Sequence, residues 1–203
     1  MVPPSTDAHT AADRAFHDAT ADLYEANLKP IFGAYEDLIA PRLDSLARRA
    51  PGINAVDVGC GTGVMSVALA LRGFRVQGVD HSPAMLEIAR ARLAAAAPAA
   101  DVELLVGDVR ALPFGDGEVD FLACQGVLHH LEDIPATVEE FARVLAPGGV
   151  FFLAEPCQGS NLALRSWMRV RSHWERLRRR EHHAGGAPVI DIPDHQEGPH
   201  RPR

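Results

Sequence analysis

Val56-Asp57-Val58-Gly59-Cys60-Gly61-Thr62-Gly63 is the stretch that decides how this chain folds. Residues 53–58 supply the β-branched, apolar run of a strand covered on both faces, and that run breaks into three glycines at alternate positions. Glycine lets the backbone turn sharply and approach a ligand closely. The apolar residues 64–71 read as the helix that follows, so the octet is a strand end, a tight turn and a helix start. That arrangement marks a nucleotide-binding turn.

The spacing bears on which nucleotide. The dinucleotide fingerprint G-x-G-x-x-G requires glycine at position 64, where the chain has Val64, because the third glycine falls one residue early at Gly63. This argues against NAD or FAD. Asp80 stands 21 positions after Gly59 (80 − 59), at the end of a second strand over 74–79. A carboxylate there can accept both hydroxyls of an adenosine ribose, which fits any adenosyl ligand with a free ribose.

Outward from the octet the pattern alternates: strand 53–58, helix 63–72, strand 74–79, helix 83–96, strand 102–106, strand 118–124, helix 135–146 and strand 149–154. Such alternation implies a parallel sheet with helices on both faces, binding ligands at the carboxyl ends of its strands where strand order reverses. Ser82-Pro83 places a capping hydroxyl before a proline at the first helical position, and Pro147-Gly148-Gly149 stops the last helix. Residues 1–52 form an N-terminal helical cap: a loose start, then helices over 8–28 and 31–49 divided at Lys29-Pro30. The core occupies 53–156. An amphipathic, Arg-rich helix follows in 157–183, with Trp167, Val170, Trp174 and Leu177 at three- or four-residue steps, and 184–203 reads as a flexible tail.

The motifs run Asp57-Val58-Gly59-Cys60-Gly61-Thr62-Gly63, Gly78-Val79-Asp80-His81-Ser82-Pro83-Ala84-Met85-Leu86, Gly107-Asp108, Leu112-Pro113-Phe114, Leu128-His129-His130 and Arg143-Val144-Leu145-Ala146-Pro147-Gly148-Gly149. In this order they closely resemble the class I S-adenosylmethionine-dependent methyltransferases, specifically the small-molecule group, over roughly residues 53–155. The resemblance is specific to fold and cofactor and carries no substrate. It implies a Rossmann-like, doubly wound, mostly parallel α/β sheet. A full fold of this class ends in two further strands, an antiparallel hairpin at the sheet edge, and no convincing pair follows residue 156. The expectation is therefore a short variant or a truncated product, with the amphipathic segment 160–182 covering the exposed edge on its own domain or as a homodimer contact.

The same resemblance assigns residues to S-adenosylmethionine. Asp57 and the backbone of Gly59, Gly61 and Gly63 serve the amino-acid end, in keeping with free N–H groups at a helix start. Asp80 holds the ribose with His81 beside it, Met85 packs on the adenine, and Asp108 with Val109 receives its amino group and apolar edge. Gln125 borders the place where cofactor and acceptor meet, and Tyr24 and Phe16 close over the cofactor. The Asn- or Asp-Pro-Pro-aromatic sequence of nucleobase amino-methyltransferases is absent at Cys124-Gln125-Gly126-Val127, which favours an oxygen, carbon or small-molecule nitrogen acceptor. His129 and His130 are the candidate general bases, since imidazole titrates near working pH. Two further readings stand beside an active methyltransferase: a noncatalytic cofactor-binding or regulatory module, and, disfavoured by Val64, a nucleotide-linked oxidoreductase.

Composition narrows the partners. With 203 residues and 47% hydrophobic content the chain buries one sizeable core. No apolar run approaches the ~18 residues of a membrane span, and the start lacks a basic region followed by an apolar one, so a cytosolic location is expected. Cys60, Cys124 and Cys157 have no disulfide or zinc spacing. A formal charge of −7 argues against nucleic acid, although seven arginines and one glutamate between Arg165 and Arg180 form a local basic stretch. His182, His183, His195 and His200 lack a compact ligand spacing, and no metal is expected.

Overall fold

The computed structural model of the protein describes residues 10–21, 39–155 and 189–191. In chain order they form α1 (10–21), α2 (Ala40–Ala47), β1 (Asn54–Val58), α3 (Val64–Ala70), β2 (Arg75–Asp80), α4 (Pro83–Ala96), β3 (Val102–Val106), β4 (Val119–Gln125), a 3-10 turn (Leu128–His130), α5 (Ile134–Val144), β5 (Leu145–Ala154) and β6 (Val189–Asp191). Strand order is β3-β2-β1-β4-β5-β6, with every pair parallel. This is the doubly wound α/β sheet that the alternating pattern implies.

Strand periodicity of two divides the core between the two faces of the sheet. From β4, Phe121 and Ala123 join Val76, Val150 and Phe152 on one face, against Leu43 and Leu46 of α2 and Met65 and Leu69 of α3. Leu122 and Cys124 turn to the other face with Val56, Val58, Phe151 and Leu153, where Val138 and Phe141 of α5 cover them. The Phe141 and Phe151 rings meet edge to face at 5.8 Å. Cys60 and Cys124 are free, buried thiols.

Local chemistry sets the helix ends. Ser82 accepts a hydrogen bond from the Met85 N–H and opens α4 with Pro83 in its first turn, while Asp133 accepts from the Ala136 N–H at the start of α5. The end of α5 departs from the expected residue 146. The helix stops at Val144, and Leu145 is already extended and paired with Val119. Proline at 147 disfavours helical backbone at the residue before it, so the chain leaves the helix early. The register then jumps from Val119↔Leu145 to Phe121↔Val150, leaving 146–149 as an irregularity with Gly148 at φ 78°. β5 thus begins at Leu145 and not at 149.

Within the stretch expected to be a flexible tail, Val189–Asp191 pairs parallel with β5 through Val150↔Val189, Phe151↔Ile190 and Phe152↔Asp191. A single parallel strand thus lies beside β5, and no antiparallel hairpin occurs among the described residues. The amphipathic segment 160–182, the proposed dimer contact through it, and Cys157 lie outside those residues.

Phe121 is fully buried at the centre of the sheet and its ring lies 5.2 Å from that of Phe74. Replacing Phe121 with Ala should lower unfolding free energy by about 3–5 kcal/mol. Urea denaturation checks this; a loss below about 1 kcal/mol would mean that this face of the core is not packed as described.

Candidate active site

β1 is flanked by β2 on one side and β4 on the other, so strand order reverses at its carboxyl end. A cleft of about 650 Å³ opens there, including its solvent-filled mouth. The turn after β1 forms its floor. Gly59, Gly61 and Gly63 have φ of 65°, 51° and 81°, in the left-handed region that favours glycine. At Gly59 the close approach is also steric, because a Cβ would lie 2.3 Å from Val127 Cγ2.

Four backbone donors of this turn are engaged within the protein. Gly59 N and Cys60 N donate to Val79 O at 2.7 and 3.1 Å, and Gly63 N donates to Cys60 O at 2.8 Å. Gly61 N donates to Asp80 Oδ2 at 2.8 Å. The three glycines therefore shape the turn with N–H groups already in use, which differs from the free helix-start donors expected of them.

Asp80 closes β2 and lines the cleft while only 8% exposed. Its Oδ1 accepts from Ser82 N at 2.9 Å and its Oδ2 from Gly61 N at 2.8 Å. A carboxylate offers about four acceptor positions, so each oxygen keeps capacity for a second donor. Met85, His81 and Val109 line the same cleft, as does Gly107. Asp108 lies there too, clamped by Arg110, whose Nε and Nη2 donate to its carboxylate at 3.0 and 2.8 Å. Burial pushes the Asp108 carboxyl upward, but the Arg110 hydrogen bonds and charge outweigh it and hold the group below the usual aspartate range.

Asp57 does not line the cleft. It is 1% exposed, behind the turn, and accepts from Ser66 Oγ at 2.6 Å. Burial raises its carboxyl from 3.8 to about 7; the Ser66 bond opposes this and the Asp80 charge adds to it.

The far wall comes from α1 and the segment after β4. Asp13 Oδ1 lies 3.0 Å from His130 Nδ1, and Thr10 Oγ1 accepts from Arg110 Nη2 at 3.2 Å. Ser82 Oγ donates to Asp18 Oδ1 at 2.5 Å, fastening α1 to the start of α4. His130 lines the cleft together with Asp13, His17, Gln125 and Val127. Its imidazolium form is disfavoured chiefly by burial, with His129 and His17 adding to the effect and Asp13 opposing it. His129 is not among the lining residues. Its Nδ1 is 2.7 Å from Glu155 Oε2, while Glu155 Oε1 accepts from Val127 N and Leu128 N, each at 2.9 Å.

Of the residues singled out in the sequence, Gly59, Gly61, Asp80, His81, Met85, Asp108, Val109, Gln125 and His130 meet around the cleft. Asp57, Gly63 and His129 are not among its lining residues, Phe16 is 60% exposed, and Tyr24 lies outside the described residues. Sequence reasoning missed Thr10, Asp13, His17 and Arg110. The four-residue step from Asp13 to His17, one turn of helix, was the available signal.

Comparison with known proteins agrees with this geometry. Residues 56–153 match the family model described as a methyltransferase domain. The malonyl-[acyl-carrier protein] O-methyltransferase of Serratia marcescens is 32% identical over 154 residues, covering 76% of this chain and 56% of that protein. The demethylmenaquinone methyltransferase of Symbiobacterium thermophilum is 31% identical over 156 residues, covering 75% and 62%. A proposed S-adenosylmethionine-dependent methyltransferase of Methanococcus maripaludis shares the fold, with a TM-score of 0.62 over 89% of this chain and 80% of that one at 23% identity. Residues 56–153 are thus a methyltransferase domain of the class I S-adenosylmethionine-dependent kind, a family whose methyl donor is S-adenosylmethionine. The chain spans about three fifths of the length of these two curated relatives.

Asp57 gives a pH test of the cofactor-free protein. Unfolded, it ionises near 3.8; folded, near about 7, so the folded state binds more protons between those values. Its contribution is fully present below the lower value and is lost as pH rises through the upper one, by ~4 kcal/mol at 1.36 kcal/mol per unit. Asp57→Asn keeps an acceptor for Ser66 and cannot ionise. The variant should melt progressively higher than the parent as pH rises from 4 to 8; parallel melting curves across that range would refute the assignment.

Proposed function

We propose that this protein transfers the methyl group of S-adenosylmethionine to an oxygen, carbon or nitrogen atom of a small-molecule acceptor. The observation that carries the reading is Asp80. It is a buried carboxylate at the end of β2, braced on each oxygen by one backbone N–H and still able to accept from a ribose diol. The surroundings fit the rest of such a ligand. Met85 and Val109 supply apolar surface beside the cleft, and a side chain at Gly61 would meet no protein atom within 4 Å, so glycine leaves that part of the cleft open.

When bound, the cofactor supplies a methyl group on a sulfonium, whose carbon–sulfur bond breaks as the acceptor's electron pair forms the new bond. The protein's task is alignment and, for a protonated acceptor, removal of a proton. His130 is the base we assign in the metal-free protein, since it lines the cleft and Asp13 orients its Nδ1. His129, turned to Glu155, is assigned to holding the loop after β4. Relatives named for O-methylation of malonyl-[acyl-carrier protein] and for methylation of demethylmenaquinone support an oxygen-bearing acceptor. No described helix is long and apolar enough to cross a membrane.

The test is release of S-adenosylhomocysteine from labelled S-adenosylmethionine in the presence of phenolic, quinol and carboxylate acceptors. Turnover with any of them supports the enzyme. Tight binding of S-adenosylhomocysteine without turnover on any acceptor favours a noncatalytic cofactor-binding module instead.

The cofactor assignment is tested separately by calorimetry. Asp80→Ala removes two acceptors, and even one charge-assisted bond of about 1.5–3 kcal/mol should weaken S-adenosylhomocysteine binding by about tenfold or more. Affinity within twofold of the parent, in a variant whose circular dichroism is native, would show that Asp80 does not hold the ribose.

A further inference from the structure

Several side chains with metal-ligating chemistry converge in the wall of the cleft. Asp13 and His17 stand one turn apart on α1, and His130 comes from the 3-10 turn after β4. One donor atom from each lies within 4.8 Å of the other two. Asp13 Oδ1 is 3.0 Å from His130 Nδ1, and Asp13 Oδ2 is 3.5 Å from His17 Nδ1 and 3.6 Å from His81 Nε2. Ligands held roughly 2.0–2.1 Å from a tetrahedral metal stand roughly 3.3–3.4 Å from one another, so the Asp13 carboxylate already lies near ligand spacing from the imidazoles, while His17, whose Nδ1 is 2.9 Å from the Asp13 backbone carbonyl, must give up that bond or ligate through Nε2.

The chemistry of the set is also selective. Two or three imidazoles with one carboxylate suit the borderline divalent ions and disfavour magnesium and calcium, which take oxygen ligands. The side chains of Asp13, His17, His81 and His130 are 17%, 13%, 29% and 30% exposed. That is shielded enough to desolvate an ion in part and open enough to admit one.

We propose that Asp13, His17 and His130 bind one divalent transition-metal ion of the zinc or cobalt type, leaving its fourth position open. Such an ion joins α1 to the loop after β4 and stands in the wall of the cleft. If methyl transfer is the activity, the ion's exchangeable position takes an oxygen of the acceptor and lowers the pKa of a bound hydroxyl, and His130 is then a ligand and no longer the base. Metal binding itself does not depend on that reading.

The experiment is titration of the chelator-treated full chain with Co²⁺, followed by visible absorption, and with Zn²⁺ by competition. Saturable binding of a single equivalent is expected, with no response to Mg²⁺. His17→Ala and Asp13→Ala should each weaken Co²⁺ binding by about tenfold or more, with native circular dichroism. Replacing His182, His183, His195 and His200 together by Ala should leave it unchanged. No saturable Co²⁺ binding, binding indifferent to His17→Ala, or binding lost with the tail histidines would each overturn the site. S-adenosylhomocysteine affinity of the metal-free chain is read in parallel, so failure of the metal site and failure of the cofactor cleft are told apart.

Discussion

A single carboxylate, that of Asp80, joins the parts of the cleft that are remote in sequence. Gly61 N reaches one of its oxygens and Ser82 N the other, so the turn after β1 and the start of α4 are fixed to the end of β2. Parallel pairing of Val58 with Val79 brings the two strand ends level, and the Gly59 and Cys60 N–H groups complete the connection on Val79 O. Burying a carboxylate to 8% exposure is unfavourable by itself, and charge-assisted bonds from backbone donors offset it. Ser82 extends the same chain of contacts: it caps α4 through Met85 N and donates to Asp18 of α1.

Helix α1 is attached in a different way from the rest of the fold. Its links are polar: Asp18 to Ser82, Thr10 to Arg110 and Asp13 to His130. Its large apolar residue, Phe16, is 60% exposed, whereas small Ala21 is buried. A helix that buries little apolar surface gains little from the hydrophobic effect and opens at low free-energy cost. The half of the cleft around Asp80 therefore rests on the sheet, while the wall opposite rests on hydrogen bonds and ion pairs. Those are sensitive to salt and to neighbouring ligands, so occupancy of the cleft and closure of α1 should be coupled.

The sequence revealed what is encoded locally. β-branched runs and glycine spacing located β1, the turn and Asp80, and Ser82-Pro83 marked the start of α4 to the residue. The end of α5 was misjudged by two residues: Pro147 disfavours helix at Ala146, a local signal, while extension already at Leu145 goes with its pairing to Val119, 26 positions away (145 − 119). The glycine N–H groups were expected to be open to ligand, since no local rule says that Val79 O and Asp80 would take them. Likewise, nothing near Asp108 announced that Arg110 would fold back onto it while reaching Thr10, 100 positions away.

The two halves of the cleft differ in legibility for the same reason. The half around Asp80 is assembled from strand ends and the residues just after them, so each contact leaves a short motif at a readable distance. The opposite half joins α1 to the loop after β4, and its defining contact, Asp13 with His130, spans 117 positions. No spacing rule bridges such a gap; only the sheet order, which returns the chain from β3 to β4 beside β1, makes the two meet. The chemistry that results is nonetheless informative. A wall carrying Asp13, His17, His81 and His130 is rich in groups that bind oxygen through hydrogen bonds or a metal, with Val127 and Leu131 as apolar surface beside them. On the function proposed here, it favours an acceptor that presents hydroxyl or enolate oxygen at the cleft mouth over one recognised by its hydrocarbon alone.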